Sequence, residues 1–328
     1  MKHLGTILKS IVALAMLAML AGLPLAHAAG AVEYPANPVR IIIPYPPGGA
    51  GDLVARYVAA RLTEKWGKAV VVENRPGGGT VIGATAVAQA APDGYTLLYT
   101  ANSHIINAHL MKLPYDPMNS FAPITTTARA PYLLLLNPSV PADNLAQFLA
   151  YAKANPGKVN FGVMGVGGLT YIAAAQLQAM TGIKMEMVVY KGAAPAMQGI
   201  LGGETQAYYD TASTIMPYVK EGRLKAIGIT GPTPDTDLPN VPQISKTVPG
   251  YQVMLWHGLF APAGTPPAIV DKISRDVGDI LNLPATHEKF SPLGLEPFPA
   301  SPSEFAAYLK AEDASSARII KEANIKLE

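Results

Sequence analysis

The segment Val39-Arg-Ile-Ile-Ile-Pro-Tyr-Pro-Pro-Gly-Gly-Ala-Gly-Asp52 joins an apolar run, a loop of prolines and glycines, and an acidic residue. The run 39–44 predicts a strand that is buried on both faces, because its apolar residues are nearly continuous. Asp52 is a favourable N-cap, and a helix that begins there has one apolar face. The segment therefore predicts a strand, a loop and a helix in that order.

The same order recurs along the chain and predicts an α/β protein with parallel sheets that are covered on both faces. Tyr208 and Tyr209 alternate along one predicted strand, so we expect one of them in the core. We predict further strands over 69–73, 95–100, 132–136, 159–163, 185–190, 206–210, 224–230 and 258–261. We predict further helices over 80–90, 144–154, 170–180, 194–201, 213–220 and 267–281, and a last one from Pro302 with Ser301 as its capping residue.

The composition limits the possible classes of protein. A chain of 328 residues is long enough for two domains. With 49% apolar and 15% charged residues it is not a disordered chain. The absence of cysteine excludes disulfides, thiolate metal sites and cysteine nucleophiles. A formal charge of +2 without a basic cluster argues against nucleic acid as a partner.

The first 28 residues have the order of a cleavable signal peptide. Lys2, His3 and Lys9 form a basic start before an apolar run over 11–25, and Ala26-His-Ala28 is a typical cleavage site. The alternative is a membrane anchor, which needs about 20 apolar residues. Cleavage after Ala28 leaves 23 of the 25 basic residues against 23 acidic ones. We therefore expect a neutral protein in the periplasm, without an anionic membrane surface as partner.

Three glycine-containing loops, over 46–52, 76–80 and 165–170, follow predicted strands and precede predicted helices. Ligands of α/β sheets bind at the carboxyl ends of the strands, where the N–H groups of helix N-termini favour anions. For Gly77 to Gly79 a simple tight turn is an equal alternative. The loops match neither the P-loop nor the dinucleotide fingerprint, so we expect no nucleotide cofactor.

We find no pattern that indicates catalysis or a metal site. The chain has no G-x-S-x-G and no H-E-x-x-H sequence. His104 and His109 are five positions apart, which does not place both on one helix face. A periplasmic hydrolase or isomerase would need a nucleophile or an acid–base pair, and the sequence offers no positioned candidate. We therefore expect a protein that is not an enzyme and holds no metal or cofactor.

The chain resembles the Bug-type periplasmic solute-binding proteins, the receptors of tripartite tricarboxylate transporters. The resemblance covers nearly the whole chain after residue 28, in order. It rests on Tyr34-Pro35, Pro38 to Gly49 with Asp52 and Ala55-Arg56, Val72-Glu-Asn-Arg-Pro-Gly77, Pro92-Asp-Gly-Tyr-Thr-Leu-Leu98, Pro114-Tyr-Asp-Pro117, Ala152-Lys-Ala-Asn-Pro-Gly157, Tyr190-Lys-Gly192, Pro239-Asn-Val-Pro242, Trp256-His-Gly258 and Ala261-Pro-Ala-Gly-Thr-Pro266.

The resemblance implies two doubly wound α/β lobes with a ligand cleft between them, which closes like a flytrap. Lobe one would contain 29–127 and 251–328, and lobe two would contain 128–250. It also implies that Asp52 orients its loop and does not touch the ligand. The residues that would bind a small organic carboxylate are Tyr45, Gly48, Gly49, Asn102 and Ser103 in lobe one, and Val163, Met164, Gly165, Gly167, Gly168, Thr170, Asp210 and Thr211 in lobe two.

This sequence departs from the family at two of these positions. Many family members have hydroxyl residues where Val163 and Met164 stand, and a histidine where Tyr171 stands. Apolar side chains there would favour a ligand with an apolar or aromatic body, or a dicarboxylate. The alternative is that Val163 and Met164 face the core, which would leave the pocket unchanged.

The resemblance implies a monomeric receptor that delivers its ligand to the membrane subunits of a tripartite tricarboxylate transporter. Closure of the lobes on the ligand would be the signal that those subunits recognise. A sensory receptor that signals to a membrane kinase would use the same closure, and the sequence does not separate the two roles.

Overall fold

The computed structural model describes residues 34–165, 167–233, 238–323 and 325. The predicted signal peptide, 1–28, lies outside the described residues. Residues 1–36 and 37–328 form two units, and both β-sheets lie in the second unit. Within the described ranges, no helix is both long and apolar enough to cross a membrane.

Strands and helices alternate along most of the chain. The strands are β1 Val39–Ile43, β2 Val70–Asn74, β3 Thr96–Ala101, β4 Phe121–Pro131, β5 Leu133–Leu136, β6 Asn160–Met164, β7 Glu186–Tyr190, β8 Ala207–Asp210, β9 Lys225–Ile229, β10 Met254–Pro262 and β11 Glu296–Pro297. The helices are α1 Ala50–Trp66, α2 Val81–Ala88, α3 Ser103–Leu110, α4 Leu145–Ala154, α5 Leu169–Thr181, α6 Ala193–Leu201, α7 Ala212–Lys220, α8 Pro267–Leu281, α9 Pro284–Phe290 and α10 Pro302–Glu322.

The strands form two sheets. The first sheet has the order β11-β4-β10-β3-β1-β2, and the second has the order β7-β6-β8-β5-β9. β1 runs parallel to β2 and β3, and β6 runs parallel to β7 and β8. β10 runs antiparallel to β3 and β4, and β5 runs antiparallel to β8 and β9. The prediction of parallel sheets was therefore wrong for the strands β4, β5, β9, β10 and β11.

Helices cover both faces of the second sheet, as the α/β prediction requires. On one face, Leu134 and Tyr209 pack in a core with Phe148 of α4 and residues of α5. On the other face, Leu133 and Tyr208 pack in a core with residues of α6 and α7. Both tyrosines are thus buried, whereas the sequence predicted one. The physical reason is that a sheet between two helix layers has no solvent-exposed face.

The chain passes between the sheets twice. It leaves the first sheet at the end of β4 and enters the second at Leu133, and it returns between Ile229 and Met254. This path suits a two-lobed receptor. The predicted lobe boundaries, at 127/128 and 250/251, stay a prediction.

An apolar cluster joins helices that belong to the two sheets. Ile106 of α3 packs with Ile172 and Ala175 of α5, and with Ile319 and Ile320 of α10. Because α5 follows a strand of the second sheet and α3 follows a strand of the first, this cluster holds the carboxyl ends of β3 and β6 near each other.

Candidate functional site

The loop after β1 is braced by Tyr45. Its hydroxyl is hydrogen-bonded to Ser103 Oγ at 2.7 Å and to Thr100 Oγ1 at 3.3 Å. Burial raises the pKa of Tyr45, and hydrogen bonds from these two hydroxyls oppose the rise. The hydroxyl therefore stays protonated and links the loop after β1 to the loop after β3, as the predicted site requires.

Asp52 holds the same loop from the other side. Its carboxylate accepts hydrogen bonds from the Gly48 N–H at 3.0 Å, from Arg56 Nε at 3.0 Å and from Asn74 Nδ2 at 2.9 Å. Burial alone would raise the pKa of Asp52, but these hydrogen bonds outweigh it and lower the pKa. Asp52 is not the N-cap, because α1 begins two residues earlier with Gly49 as its capping residue. Its predicted orienting role fits these bonds.

Asn102 makes contacts within the fold. Its Nδ2 donates to Met254 O at 3.0 Å and to Glu312 Oε2 at 3.2 Å, and its Oδ1 accepts from the Trp256 N–H at 3.1 Å. The side chain is 3% exposed. These bonds tie the end of β3 to β10 and α10, and they use both Nδ2 protons, so the Asn102 side chain serves mainly to hold the fold. Ser103, the next predicted residue, is partly exposed and starts α3.

The loop after β6 is held mainly by its own backbone. The Gly168 N–H donates to Gly165 O at 3.2 Å, and the Met164 N–H donates to Thr170 Oγ1 at 2.9 Å. A Cβ at Gly168 would lie 2.2 Å from Met164 O, so no side chain fits there. Thr170 is fully buried and its hydroxyl is used within the loop. This loop offers backbone groups to a ligand, together with the partly exposed Met164.

Val163 has no exposed surface and packs in the core with residues of α4 and α5. The hypothesis that its side chain adds apolar surface to the pocket therefore fails. Strand alternation turns the side chain toward the face of the sheet that α4 and α5 cover. Met164 is partly exposed and packs against the core on the other face.

Asp210, at the end of β8, is a buried carboxylate. Its Oδ1 accepts from the Thr211 N–H at 2.8 Å, whereas its buried Oδ2 has no hydrogen-bond partner among the described residues. Burial raises the pKa of Asp210 to about 6, although the Thr211 N–H and the nearby Tyr208 and Thr214 side chains oppose the rise. The buried hydroxyl of the neighbouring Tyr208 also has no hydrogen-bond partner in the described part of the chain. Unpaired buried polar groups of this kind are typical of functional sites.

The helices that follow β1, β3, β6, β7 and β8 start without a hydrogen bond from a capping side chain. Gly49, Gly168 and Gly192 cap α1, α5 and α6 and have no side chain to donate or accept. Asn102 and Thr211, which cap α3 and α7, direct their side chains elsewhere. Each helix therefore presents first-turn N–H groups that have no acceptor within the helix. By contrast, Asn144 caps α4 and Ser301 caps α10 with side-chain hydrogen bonds.

The two sets of loops approach each other. A Cβ at Gly167 would lie 3.0 Å from Asn107 Oδ1 and 3.4 Å from Leu110 Cδ1, both on α3. The structure thus brings the predicted residues after β6 close to the helix that begins at Ser103. We call the region where these loops meet the front cleft.

The sequence prediction missed His257 of β10. A Cβ at Gly51 would lie 2.7 Å from His257 Nε2, so the first turn of α1 rests on this imidazole. The ring stacks on Tyr99 with centroids 5.6 Å apart, and burial lowers the pKa of His257 to about 4. His257 lies in one of the family-like motifs, Trp256-His-Gly258, but nothing local in the sequence indicates that it supports α1.

The two histidines considered as metal ligands are separate in the structure. His104 is buried among aromatic rings, and burial lowers its pKa to about 4. His109 Nε2 lies 2.7 Å from Asp313 Oδ1, which fastens α10 to α3. In the part of the chain that the structure describes, no group of three metal-ligating side chains comes together.

The sequence matches the family described as "Tripartite tricarboxylate transporter family receptor" over residues 54–325. The chain belongs to this family. Its receptors, and the solved structures that resemble it, are substrate-binding proteins rather than enzymes.

Three relatives illustrate the similarity. The receptor is 33% identical over 298 residues to Protein BugT of Bordetella pertussis, which covers 90% of this chain and 91% of BugT. The R. palustris protein Rpa4515 with adipate is 30% identical, covering 89% of this chain and 99% of that one, with a TM-score of 0.80. MatC from Rhodopseudomonas palustris with bound malate is 30% identical, covering 88% and 100%, with a TM-score of 0.75.

Proposed function

We propose that this protein is a periplasmic receptor that binds a small dicarboxylate in the front cleft and delivers it to the membrane subunits of a tripartite tricarboxylate transporter. Ligand contacts with both sets of loops would favour the closed arrangement of the two lobes. The membrane subunits would then recognise that arrangement.

The observation that carries the proposal is the set of helices without side-chain caps at the front cleft. Helix N-termini attract anions through their unsatisfied N–H groups and the helix dipole. Two such termini, those of α1 and α3, follow strands of the first sheet, and three, those of α5, α6 and α7, follow strands of the second. A ligand with a carboxylate at each end matches this distribution better than a monocarboxylate.

The relatives support the same ligand class. Rpa4515 and MatC are solved with adipate and malate, which are both dicarboxylates. For this chain the dicarboxylate is our proposal, and an aromatic dicarboxylate fits it equally well because Met164 adds polarizable apolar surface.

We assign Asp210 a role in selecting the ligand. Its unpartnered Oδ2 would accept a hydrogen bond from a ligand hydroxyl or from a water that enters with the ligand. A carboxylate of the ligand placed directly against it would be repelled. Asp210 would therefore favour hydroxylated dicarboxylates and orient their carboxylates toward the helix N-termini.

Thermal unfolding of the secreted protein tests the ligand class. We expect malate, adipate and phthalate to raise Tm, and their monocarboxylate counterparts butyrate, hexanoate and benzoate to leave it unchanged. A ligand at 100 times its Kd adds about 2.7 kcal/mol, which is a shift of several degrees. Equal shifts with monocarboxylates would contradict the dicarboxylate proposal, and no shift with any acid would contradict carboxylate binding.

Two further measurements test the signal peptide and the role in transport. N-terminal sequencing of the secreted protein should begin at Ala29; retention of residues 1–28 would contradict the signal peptide. Deletion of the gene should abolish uptake of the labelled dicarboxylate. Unchanged uptake by the deletion strain, together with binding of the dicarboxylate by the purified protein, would contradict delivery to a transporter.

The variant Met164→Ser tests the contribution of the apolar side chain to selectivity. We expect it to weaken binding of phthalate relative to malate, whereas Val163→Thr, in the core, should lower stability and leave that ratio unchanged. An unchanged ratio in Met164→Ser would exclude a role for this side chain.

A further inference from the structure

A second space between the sheets lies along α7. It is a cavity of about 720 Å³, and its lining includes Arg129, Met216, Lys220, Met254, His287 and Glu296. We call it the rear cavity.

The rear cavity extends from the start of α7, across the ends of the two connecting strands, toward β11. In the first sheet, β4 and β10 lie between β11 and β3, and their ends at Pro131 and Met254 lead to and from the second sheet. The loops of the front cleft follow β1 and β3, on one side of this pair. Glu296 of β11 lines the rear cavity on the other side. The lining also includes Ala212 and Ser213, which directly follow Asp210 and Thr211 of the predicted site, so the two spaces meet at the start of α7.

The lining of the rear cavity combines apolar and basic groups. The apolar groups include the side chains of Met216 and Met254 and several prolines, and Arg129, Lys220 and His287 supply basic side chains. Among the described residues the acidic group of the lining is Glu296, which is already ion-paired with Arg129. The Arg129 guanidinium also lies 4.2 Å from the ring centroid of Phe298. In the described part of the chain, Lys220 and His287 form no ion pair, so the lining has a surplus of unpaired basic groups.

We propose that the rear cavity is a second binding site, for an organic anion with an apolar body. A volume of about 720 Å³ lies within the range of small-molecule sites. The methionines and prolines would contact the apolar body, and Lys220 and His287 would bind the anionic group. This inference goes beyond the proposed function and does not depend on it.

The rear cavity has a further consequence for the receptor. One wall comes from α7, which follows strand β8 of the second sheet. Another comes from residues between 287 and 297, which follow α8 and include strand β11 of the first sheet. Any movement of one sheet relative to the other changes these walls. The occupant therefore binds the open and closed arrangements unequally, and its affinity is coupled to ligand binding in the front cleft.

Fluorescence titration with 8-anilinonaphthalene-1-sulfonate, an anion with an apolar body, tests the proposal on the whole secreted protein. We expect saturable binding of one probe per chain. Lys220→Glu should weaken it about tenfold, because it replaces an attractive charge with a repulsive one. The matched control is Lys158→Glu, an exposed lysine outside the lining, which should bind the probe like the unchanged protein.

A second variant, Met216→Asp, tests the apolar wall and should also weaken binding, while Met164→Asp in the front cleft should not. Circular dichroism of each variant confirms that it is folded. Absence of saturable binding, equal loss in Lys158→Glu, or loss in Met164→Asp without loss in Lys220→Glu would overturn the proposal. Because the probe assay requires no dicarboxylate, its failure is distinguishable from failure of the proposed function.

Discussion

The loop after β1 and the loop after β6 have the same plan but are held in different ways. Side chains brace the first loop, through the Tyr45 hydroxyl and the Asp52 carboxylate. The second loop is held by its own backbone and by one buried hydroxyl, that of Thr170. A Cβ at Gly49 would meet no atom within 4 Å, whereas one at Gly168 would meet Met164 O at 2.2 Å. The first loop thus leaves space beside Gly49, and the second requires a glycine at position 168 for packing.

Gly168→Ala should have the largest effect. The added Cβ collides with a backbone oxygen that cannot move without displacing β6, so we expect a loss of about 3 kcal/mol in the free energy of unfolding. Gly49→Ala is the matched control, because its φ of −73° suits alanine and its Cβ has room. Urea denaturation measures both. Equal stability of the two variants would contradict the steric difference between the loops.

Asp210→Asn should raise stability in a pH-dependent way. The folded-state pKa of about 6 lies above the ordinary value of 3.8, so ionisation of Asp210 opposes folding. The protonated carboxyl contributes to the free energy of unfolding. This contribution is fully present below pH 3.8 and is lost as the pH rises through about 6. At pH 8 the variant should therefore be about 3 kcal/mol more stable, and at pH 3.5 the difference should vanish. Unfolding curves at several pH values check this, and a pH-independent difference would contradict it.

Asp52→Asn should show the opposite sign. Hydrogen bonds lower the pKa of Asp52, so its carboxylate stabilises the fold above the ordinary pKa and this contribution is lost as the pH falls through the lowered value. We expect the variant to be about 2 kcal/mol less stable at pH 7, since it loses charged hydrogen bonds. The same unfolding curves measure it. A gain in stability like that of Asp210→Asn would remove the contrast between the two carboxylates.

Thr170→Val preserves the shape of the side chain and removes the acceptor of the Met164 N–H. A buried N–H without a partner should cost about 2 kcal/mol. Hydrogen exchange at the Met164 amide should become faster. Thr85→Val is a suitable comparison, because its hydroxyl donates to a helical carbonyl, which keeps its own helix partner. Unchanged protection of the Met164 amide would show that the hydroxyl does not hold the second loop.

Tyr45→Phe should have the smallest effect, about 1 kcal/mol, because it removes one neutral hydroxyl that is hydrogen-bonded to the neutral hydroxyls of Ser103 and Thr100. Calorimetric titration with the dicarboxylate should show a modest loss of affinity from the looser first loop. A loss of unfolding free energy larger than that of Thr170→Val would reverse the order of importance of the two loops.

Much of the fold was predictable from local signals. The helix Pro267–Leu281 has the predicted limits, and Ser301 caps its helix as predicted. The strand Phe121–Pro131 was missed, because its three central threonines interrupt any apolar run. These threonines are buried. Thr127 Oγ1 donates to the Tyr99 hydroxyl at 3.2 Å, and Thr126 to Phe298 O, so distant partners make their burial possible.

The candidate site was predictable in outline only. The glycine loops follow their strands as expected, because strand, loop and helix order is readable from composition. The tertiary structure decided that Asn102 serves the fold, that Val163 lies in the core, and that His257 supports α1. Each of these outcomes depends on residues more than ten positions away, which one sequence does not reveal.

The sequence by itself determined the α/β class, the limits of helices such as Pro267–Leu281 and the order of the loops, since these depend on residues within a few positions of one another. Only the tertiary structure decided the strand directions, because a strand buried on both faces has the same apolar composition in either direction. Only the tertiary structure decided which polar groups are satisfied: the Asp52 carboxylate has several donors, whereas Asp210 Oδ2 has none among the described residues. Two donors of Asp52, Gly48 and Arg56, are four positions away, and packing adds the distant Asn74, whereas no donor reaches Asp210 Oδ2 among the described residues.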